Sequence, residues 1–252
     1  TAEYRSKDSA VASVSPDGVA RGITDGQTVV EITANGQTQS VPVVVRGAAE
    51  KRHVHFENDV LPVLSRFGCN SSGCHGKAEG QNGFKLSIFG FDPGADLAAL
   101  TQEGRGRRTN RTVPGNSLLL LKASGGMPHG GGIRIRRNSG EYRVLHDWIL
   151  AGATAGDLDA AKLVAIQVTP HDSRMAMEAT RQLQVTARFS DGREIDVTHL
   201  AKFQSNSEPL ATVDEYGLVT TGDSPGEAAI MASYLGQVDV FRAIVPQPQP
   251  EN

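Results

Sequence analysis

The C-terminal third of the chain carries the alternation of apolar and polar residues that predicts β-strands. Four apolar residues alternate with polar ones and precede a hairpin turn at Asp191-Gly192: Leu183, Val185, Ala187 and Phe189. Strands predicted in this way extend from about residue 166 to residue 245. A stretch of that length is the size of a small β-sandwich, which is the fold we expect here.

The N-terminal end repeats part of this β pattern. Residues 2–18 align without a gap on residues 201–217, and residues 26–37 align on residues 226–237. Such self-similarity indicates one domain type present twice. Because the first copy begins where the second is already half complete, residues 1–48 are expected to be an incomplete sandwich. We expect this half either to pack against the rest of the chain, to pair with another molecule, or to be the remnant of a cut domain.

The middle of the chain has a different pattern, which predicts helices. Phe56–Phe67 has acidic residues at its start and an apolar stripe after them. Ser139–Ala151 has a second stripe, and Asn138 and Glu141 before it have capping-box spacing. No apolar run reaches the roughly 18 residues that a membrane-spanning helix needs.

Charge is distributed unevenly along the chain. The net charge is -3 over 252 residues, but residues 51–152 hold 14 Lys and Arg against 8 Asp and Glu, an excess of six positive charges. The basic residues lack interleaved aromatics, so nucleic acid is not an expected partner. They are suited to steering an anionic protein partner towards this segment.

Both cysteines lie in one short motif, Cys69-Asn70-Ser71-Ser72-Gly73-Cys74-His75. Two thiols followed at once by a histidine are typical of covalent haem attachment, although the usual spacing has two residues between the thiols. The small residues Ser71, Ser72 and Gly73 permit the longer loop. A disulfide, a Cys/Cys/His metal site and two unrelated thiols are the alternatives. Zinc would need a fourth ligand from a second cluster, and the sequence offers none.

Several separated segments resemble known families. The strings FENDVLPVLSRFGCNSSGCHGKAEGQNGFKLSIFGFDP, VPGNSLLLLKASGGMPHGGGIRI and EYRVLHDWILAGA resemble planctomycete-type cytochrome c domains, in which four residues between the cysteines are usual. The strings DVTHLAKFQSNSEPLATVDEYGLVT and VEITANGQTQSVPVVV resemble bacterial immunoglobulin-like (group 2) domains. The resemblance implies one covalent haem c, with thioethers to Cys69 and Cys74 and His75 as the proximal iron ligand.

The resemblance leaves the distal ligand open. The Met127-Pro128-His129 segment offers two candidates, and the remaining alternative is a five-coordinate iron or a ligand from His53, His55 or His146. Similar sequences retain the histidine more often than the methionine, so His129 is preferred and Met127 is the alternative. A methionine ligand would raise the reduction potential relative to a second imidazole.

Further residues are assigned to the cofactor on weaker grounds. Arg108 and Arg134 are candidates for the haem propionates, because guanidinium groups pair well with carboxylates. Phe84 and Phe89 are candidates for the pocket wall, although packing without haem contact explains them equally well. No proline stands between His75 and Asp92 to orient the proximal imidazole, so another carbonyl must do so.

The expected fold is therefore mixed and multidomain: a small mainly-α, class I-like cytochrome c domain between immunoglobulin-like β-sandwich segments, the N-terminal one incomplete. The expected domains are a partial β segment at 1–48, a monohaem cytochrome c domain at 53–153, a complete β-sandwich at 164–246 and a Pro-rich linker at 247–252.

The expected function is electron transfer without catalysis. The protein is expected to be a processed piece of an exported periplasmic, envelope or surface protein, with a redox protein, carbohydrate or further domains of the same polypeptide as partners. The alternatives are a surface adhesion or carbohydrate-binding protein with a structural Cys/Cys/His site, and a haem sensor or enzyme with a labile distal ligand.

Overall fold

The computed structural model of the chain describes residues 2–16, 18–49 and 53–247. The chain divides into two compact units, with the boundary between residues 52 and 53. The predicted linker at 247–252 lies almost wholly outside the described residues. Within the described ranges, no helix is long and apolar enough to cross a membrane.

The first unit contains only β-structure among its described residues. Strands β1, β4 and β5 form one antiparallel sheet in the order β1-β4-β5, and β2 pairs with β3. Asn35 and Gly36 both have positive φ, which matches the two-residue hairpin turn between β4 and β5. The strands are β1 Glu3–Ser6, β2 Ala12–Val14, β3 Ala20–Gly22, β4 Gly26–Ala34 and β5 Gln37–Val45.

The second unit ends in a β-sandwich built from ten strands. Its sheets have the orders β10-β9-β6, β11-β14-β15-β7 and β12-β13-β8. Val185, Ile230 and Phe241 are fully buried in its core. The strands are β6 Leu163–Thr169, β7 Asp172–Arg174, β8 Thr180–Gln182, β9 Gln184–Phe189, β10 Glu194–Asp196, β11 Lys202–Ser205, β12 Ala211–Val213, β13 Leu218–Thr221, β14 Gly226–Tyr234 and β15 Gln237–Val245.

The repeat predicted from the sequence is present in the structure. The β1-β4-β5 sheet has the same antiparallel order as β11-β14-β15. A Cβ added to Gly18 would lie 2.9 Å from the Tyr4 ring, and one added to Gly217 would lie 2.8 Å from the Phe203 ring. Both copies therefore use a glycine with positive φ to let an aromatic ring of the first strand approach the backbone.

Short helices occupy the segment between the two β regions. A π-helical turn at Phe56–Val60 leads into α1, one 3₁₀ turn lies between α1 and α2, and two lie between α2 and α3. The helices are α1 Leu61–Arg66, α2 Pro93–Thr101, α3 Leu118–Ala123 and α4 Gly140–Leu150. Both predicted helices are found, but the cap of α4 differs from the prediction, because the Ser139 side chain and not Asn138 accepts the Tyr142 N–H.

The predicted fold class is wrong. Among the residues that the structure describes, strand accounts for 33% and helix for 21%, so this part of the chain is mainly β and no small mainly-α cytochrome domain is evident in it. The helices are short, from 6 to 11 residues. Glycines with positive φ, such as Gly68, Gly80 and Gly104, interrupt the segment between them, so irregular loops take much of the space that longer helices would fill.

The helical segment has a core of its own around the single tryptophan. Trp148 is fully buried, its ring centre lies 5.3 Å from that of Phe56, and its indole N–H donates to the Thr154 carbonyl at 2.8 Å. This core joins the ends of the segment, because Phe56 precedes α1 and Trp148 lies in α4.

The helical segment is also attached to the sandwich that follows it. The Arg66 guanidinium donates to the His199 carbonyl at 3.1 Å and to the Glu215 carbonyl at 2.8 Å. Leu200 and Leu235 pack against both hydrophobic cores. The C-terminal sandwich therefore forms one wall of the helical segment.

Replacing Phe56 by alanine should destabilise the helical segment by about 3–5 kcal/mol, because a fully buried aromatic ring is removed against Trp148. Denaturant unfolding followed by the fluorescence of this single tryptophan measures the effect. Phe91→Ala is the control, because Phe91 is 90% exposed and its loss should change stability by less than about 0.5 kcal/mol. Equal effects of the two substitutions would contradict the core described here.

Candidate functional site

The cysteine motif forms a closed turn directly after α1. Gly68, with φ +68°, ends the helical stretch. The N–H of Cys74 donates to the Ser71 carbonyl at 3.0 Å, and the N–H of His75 donates to the Cys69 carbonyl at 3.0 Å. The second bond brings Cys69 and His75, the two ends of the motif, together.

Gly76 allows this closure. Its N–H donates to the Ser71 carbonyl at 2.9 Å, and a Cβ at this position would lie 2.2 Å from the Asn70 carbonyl oxygen. No side chain fits there without moving the backbone of the turn. The glycine immediately after His75 was the sequence signal for this constraint, and our sequence interpretation missed it.

Both thiols are free, and each cysteine is partly exposed. Burial of the thiol group and, to a lesser extent, the neighbouring Cys74 raise the pKa of Cys69 to about 12, although the positive charge of Arg134 opposes the shift. Cys69 is therefore a protonated thiol at neutral pH in the polypeptide as described.

His75 is held by the loop that follows it. Its Nδ1 lies 3.0 Å from the Phe84 carbonyl oxygen, its ring centre lies 4.3 Å from that of Phe84, and its own carbonyl accepts the Leu86 N–H at 2.8 Å. The carbonyl of Phe84 thus orients the imidazole where the sequence lacks a proline. Burial lowers the pKa of His75, which favours the neutral imidazole that a metal needs.

The structure brings His129 beside His75. The two ring centres are 6.3 Å apart and the ring planes differ by 9°. The Nδ1 of His129 lies 3.2 Å from the Gly132 carbonyl oxygen. In the same way, the Nδ1 of His75 lies 3.0 Å from the Phe84 carbonyl oxygen. In both imidazoles, Nδ1 therefore has a carbonyl partner, and no such partner is described for Nε2.

This arrangement fits one iron between the two rings. Imidazole nitrogens bind a transition metal at about 2 Å, and the bonded nitrogen lies about 1.1 Å from its ring centre, so two imidazoles on opposite sides of one metal have centres about 6 Å apart. The observed separation of 6.3 Å agrees with that value. A carbonyl at each Nδ1 also fixes the tautomer that leaves Nε2 free to bind.

A metal held by protein side chains alone is not indicated. Among the described residues, no group of three or more His, Cys, Asp and Glu side chains is arranged to hold a metal ion. A porphyrin supplies four of the six ligands of its iron and needs only two from the protein, a number that two imidazoles such as those of His75 and His129 would meet.

Met127, the alternative to His129, lies on the same segment. It is 40% exposed, and its N–H donates to the Leu121 carbonyl at 3.1 Å. Both residues line an open cavity of about 340 Å³, which the backbone of Gly126 and Gly132 and the exposed Ile133 also border.

The residues predicted for the haem propionates and for the pocket wall differ in burial and in their contacts. Arg108 is buried, and its guanidinium donates to the backbone carbonyls of Ala99 and Gly83. Arg134 is exposed. The Phe84 ring contacts His75, whereas Phe89 is 47% exposed and lies under the Lys202 ammonium at 5.4 Å, on the sandwich side.

Replacing Gly76 by alanine should destabilise the helical segment by about 1–3 kcal/mol, because the added methyl group collides with the backbone of the cysteine turn. Gly73→Ala is the matched control, since no atom lies within 4 Å of a Cβ added there. Trp148 fluorescence during denaturant unfolding measures both variants. A Gly76→Ala variant as stable as Gly73→Ala would show that the turn is not closed as described.

Comparisons with known proteins identify no family. No family model matches the chain, and no curated protein matches it. Solved structures that align with the chain include fragments of the S-layer protein SbsC. For one of them, the alignment covers all of this chain and 21% of the SbsC fragment at 11% identity with a TM-score of 0.31. A fragment comprising domains 4 and 5 covers 98% of this chain and 70% of its own length at 11% identity with a TM-score of 0.30. Similarity at this level does not establish a shared fold.

These findings correct the expected family. The resemblance to planctomycete-type cytochrome c domains beside bacterial immunoglobulin-like domains is wrong as an assignment, because no family model matches the chain and the described residues contain no metal-binding group of protein ligands. The chain spans about a fifth of the length of the first structures it aligns with. Any function must therefore be argued from the site itself.

Proposed function

We propose that this chain is part of an exported surface or envelope protein and that its helical segment binds one haem, attached through Cys69 and Cys74, with His75 and His129 as the axial ligands. The imidazole pair carries the proposal: its rings are 6.3 Å apart and within 9° of parallel, and each Nδ1 is occupied by a backbone carbonyl. Two free thiols next to one of these imidazoles complete the set that covalent haem attachment requires.

The residues of the site would bind and orient the group. When bound, haem supplies one-electron oxidation and reduction of its iron. The Phe84 and Gly132 carbonyls hold the two imidazoles in the tautomer with a free Nε2, and burial keeps His75 neutral. If His75 and His129 both held the iron, the protein would leave no position for a substrate on it, which favours electron transfer over catalysis.

The charge of the helical segment supports an acidic redox partner. Several arginines of this segment are exposed: Arg105, Arg107, Arg111, Arg134, Arg136, Arg137 and Arg143. A surface of one sign accelerates encounter with a partner of the opposite sign. Arg134 and its neighbours follow His129 closely in the chain, so such a partner would approach the His129 side of the site.

Export follows from the proposed covalent attachment and agrees with the β architecture. The two β units repeat one sheet order, β1-β4-β5 and β11-β14-β15, as repeated modules of surface proteins do. In this proposal the sandwiches act as spacers that present the helical segment, and Arg66 anchors that segment to the second sandwich.

A second candidate is a structural surface protein without haem. The observation that favours it is the overall content of 33% strand, together with the repeated sheet. In that case the cysteine turn is a structural element and the sandwiches bind carbohydrate or other domains.

Measurement of mass and colour separates the two candidates. Expressed with export and haem attachment, the chain should be coloured and heavier than the polypeptide by one haem, and the Cys69→Ala/Cys74→Ala variant should lose the covalent group. Ser72→Ala, which changes the same turn but removes no thiol, should retain it. A colourless wild-type protein with the mass of the bare chain would support the structural candidate and eliminate haem binding.

Substitution of the two candidate distal ligands tests the coordination. His129→Ala should convert the iron from low spin to high spin and allow carbon monoxide to bind the reduced protein, because one axial position becomes free. Met127→Ala should leave the spectrum low spin. The reverse pattern would assign the iron to Met127, and carbon monoxide binding by the wild-type protein would show that the distal ligand is labile.

A further inference from the structure

We propose that Arg108 is a positioning residue for His75: it holds the turn whose carbonyl orients the imidazole, and so controls the hydrogen bond of the proximal ligand. This inference rests on the proposed function for its consequence at the iron. The contacts from Arg108 to the turn, and from the turn to His75, are properties of the polypeptide alone.

The Phe84 carbonyl belongs to a tight two-residue turn. Asn82 and Gly83 both have positive φ, at +51° and +71°. Gln81 and Phe84 exchange backbone hydrogen bonds of 2.8 and 3.1 Å across them, which is the geometry of a hairpin turn that Asn-Gly favours. The Phe84 oxygen therefore accepts both the Gln81 N–H and the Nδ1–H of His75.

Arg108 holds this turn through its guanidinium group. One terminal nitrogen of its guanidinium donates to the Gly83 carbonyl at 2.6 Å, and the other donates to the Ala99 carbonyl at 2.5 Å and to Glu103 at 3.2 Å. The residue is only 8% exposed. A buried guanidinium needs such partners, because leaving it unpaired would cost several kcal/mol.

The Phe84 ring lies in contact with both Arg108 and the His75 imidazole, so it couples the position of the turn to the orientation of the imidazole. The guanidinium carbon of Arg108 lies 4.4 Å from the centre of the Phe84 ring, and that ring lies 4.3 Å from the His75 ring. Phe84 thus contacts His75 through both its ring and its carbonyl, while Arg108 holds both Phe84 and the adjacent Gly83. Arginine suits this role because its planar group stacks on a ring and donates in fixed directions, which lysine cannot do.

The test compares Arg108→Lys with Arg66→Lys in the full chain. Arg66 is the matched control, because its guanidinium also donates to two backbone carbonyls and one glutamate, but on the sandwich side. Both substitutions should lower stability. Only Arg108→Lys should increase the exchange rate of the His75 Nδ1–H with solvent, by about tenfold as expected for a weakened hydrogen bond, as followed by nuclear magnetic resonance.

A second measurement uses the haem-loaded protein. Arg108→Lys should change the low-spin electron paramagnetic resonance g values, which report imidazole orientation and hydrogen bonding, and Arg66→Lys should not. Phe84→Leu keeps the carbonyl and removes the stacked ring, and it should shift the g values in the same direction as Arg108→Lys.

The outcomes separate this inference from the function on which it rests. Haem-loaded Arg108→Lys with unchanged g values and unchanged Nδ1–H exchange would overturn the role of Arg108. If the wild-type chain binds no haem, the proposed function fails, and the exchange measurement on the haem-free chain still decides whether Arg108 positions His75.

Discussion

The hydrogen bond between His75 Nδ1 and the Phe84 carbonyl links the parts of the candidate site. This bond joins the cysteine turn to the Asn82-Gly83 turn. Because the Phe84 ring also contacts the buried Arg108, the bond connects the cysteine turn indirectly to that guanidinium. A free imidazole rotates about two bonds, and fixing one nitrogen on a carbonyl leaves the other directed at a single position. His129 is constrained in the same way by Gly132, so two independent loops present two imidazoles at a metal-sized separation.

The rest of the second unit supports these loops. The Phe56 and Trp148 rings join the beginning and the end of the helical segment, while Arg66 and the shared leucines attach it to the sandwich. Most backbone of the site is in turns, which define positions less firmly than helices and strands do. Its precision therefore depends on buried side chains such as Arg108 that reach from one loop to another.

Local features of the sequence predicted local structure well. The Asp191-Gly192 hairpin, the helices after Phe56 and Ser139, and the repeat of the β pattern all depend on residues close together in the chain, where periodicity and turn chemistry act. The signal for α2 was also local, since Asp92 caps a helix that begins at Pro93, and our interpretation passed over it.

Contacts between distant residues could not be predicted in this way. Nothing in the sequence indicates that the Phe84 carbonyl accepts from His75, or that Arg108, which was expected to pair with a haem propionate, donates to the Gly83 carbonyl. The fold class was wrong for a related reason: the family resemblance was taken from motifs, and the loops between those motifs hold few helical residues.

The central claim is that one iron lies between His75 and His129. A crystal of the exported protein, measured at the iron absorption edge, tests it by anomalous scattering. The account predicts one iron peak between the two imidazoles, with continuous density from the porphyrin to both cysteine sulfurs. No iron at this position, with two unmodified thiols or a disulfide in the cysteine turn, would contradict it.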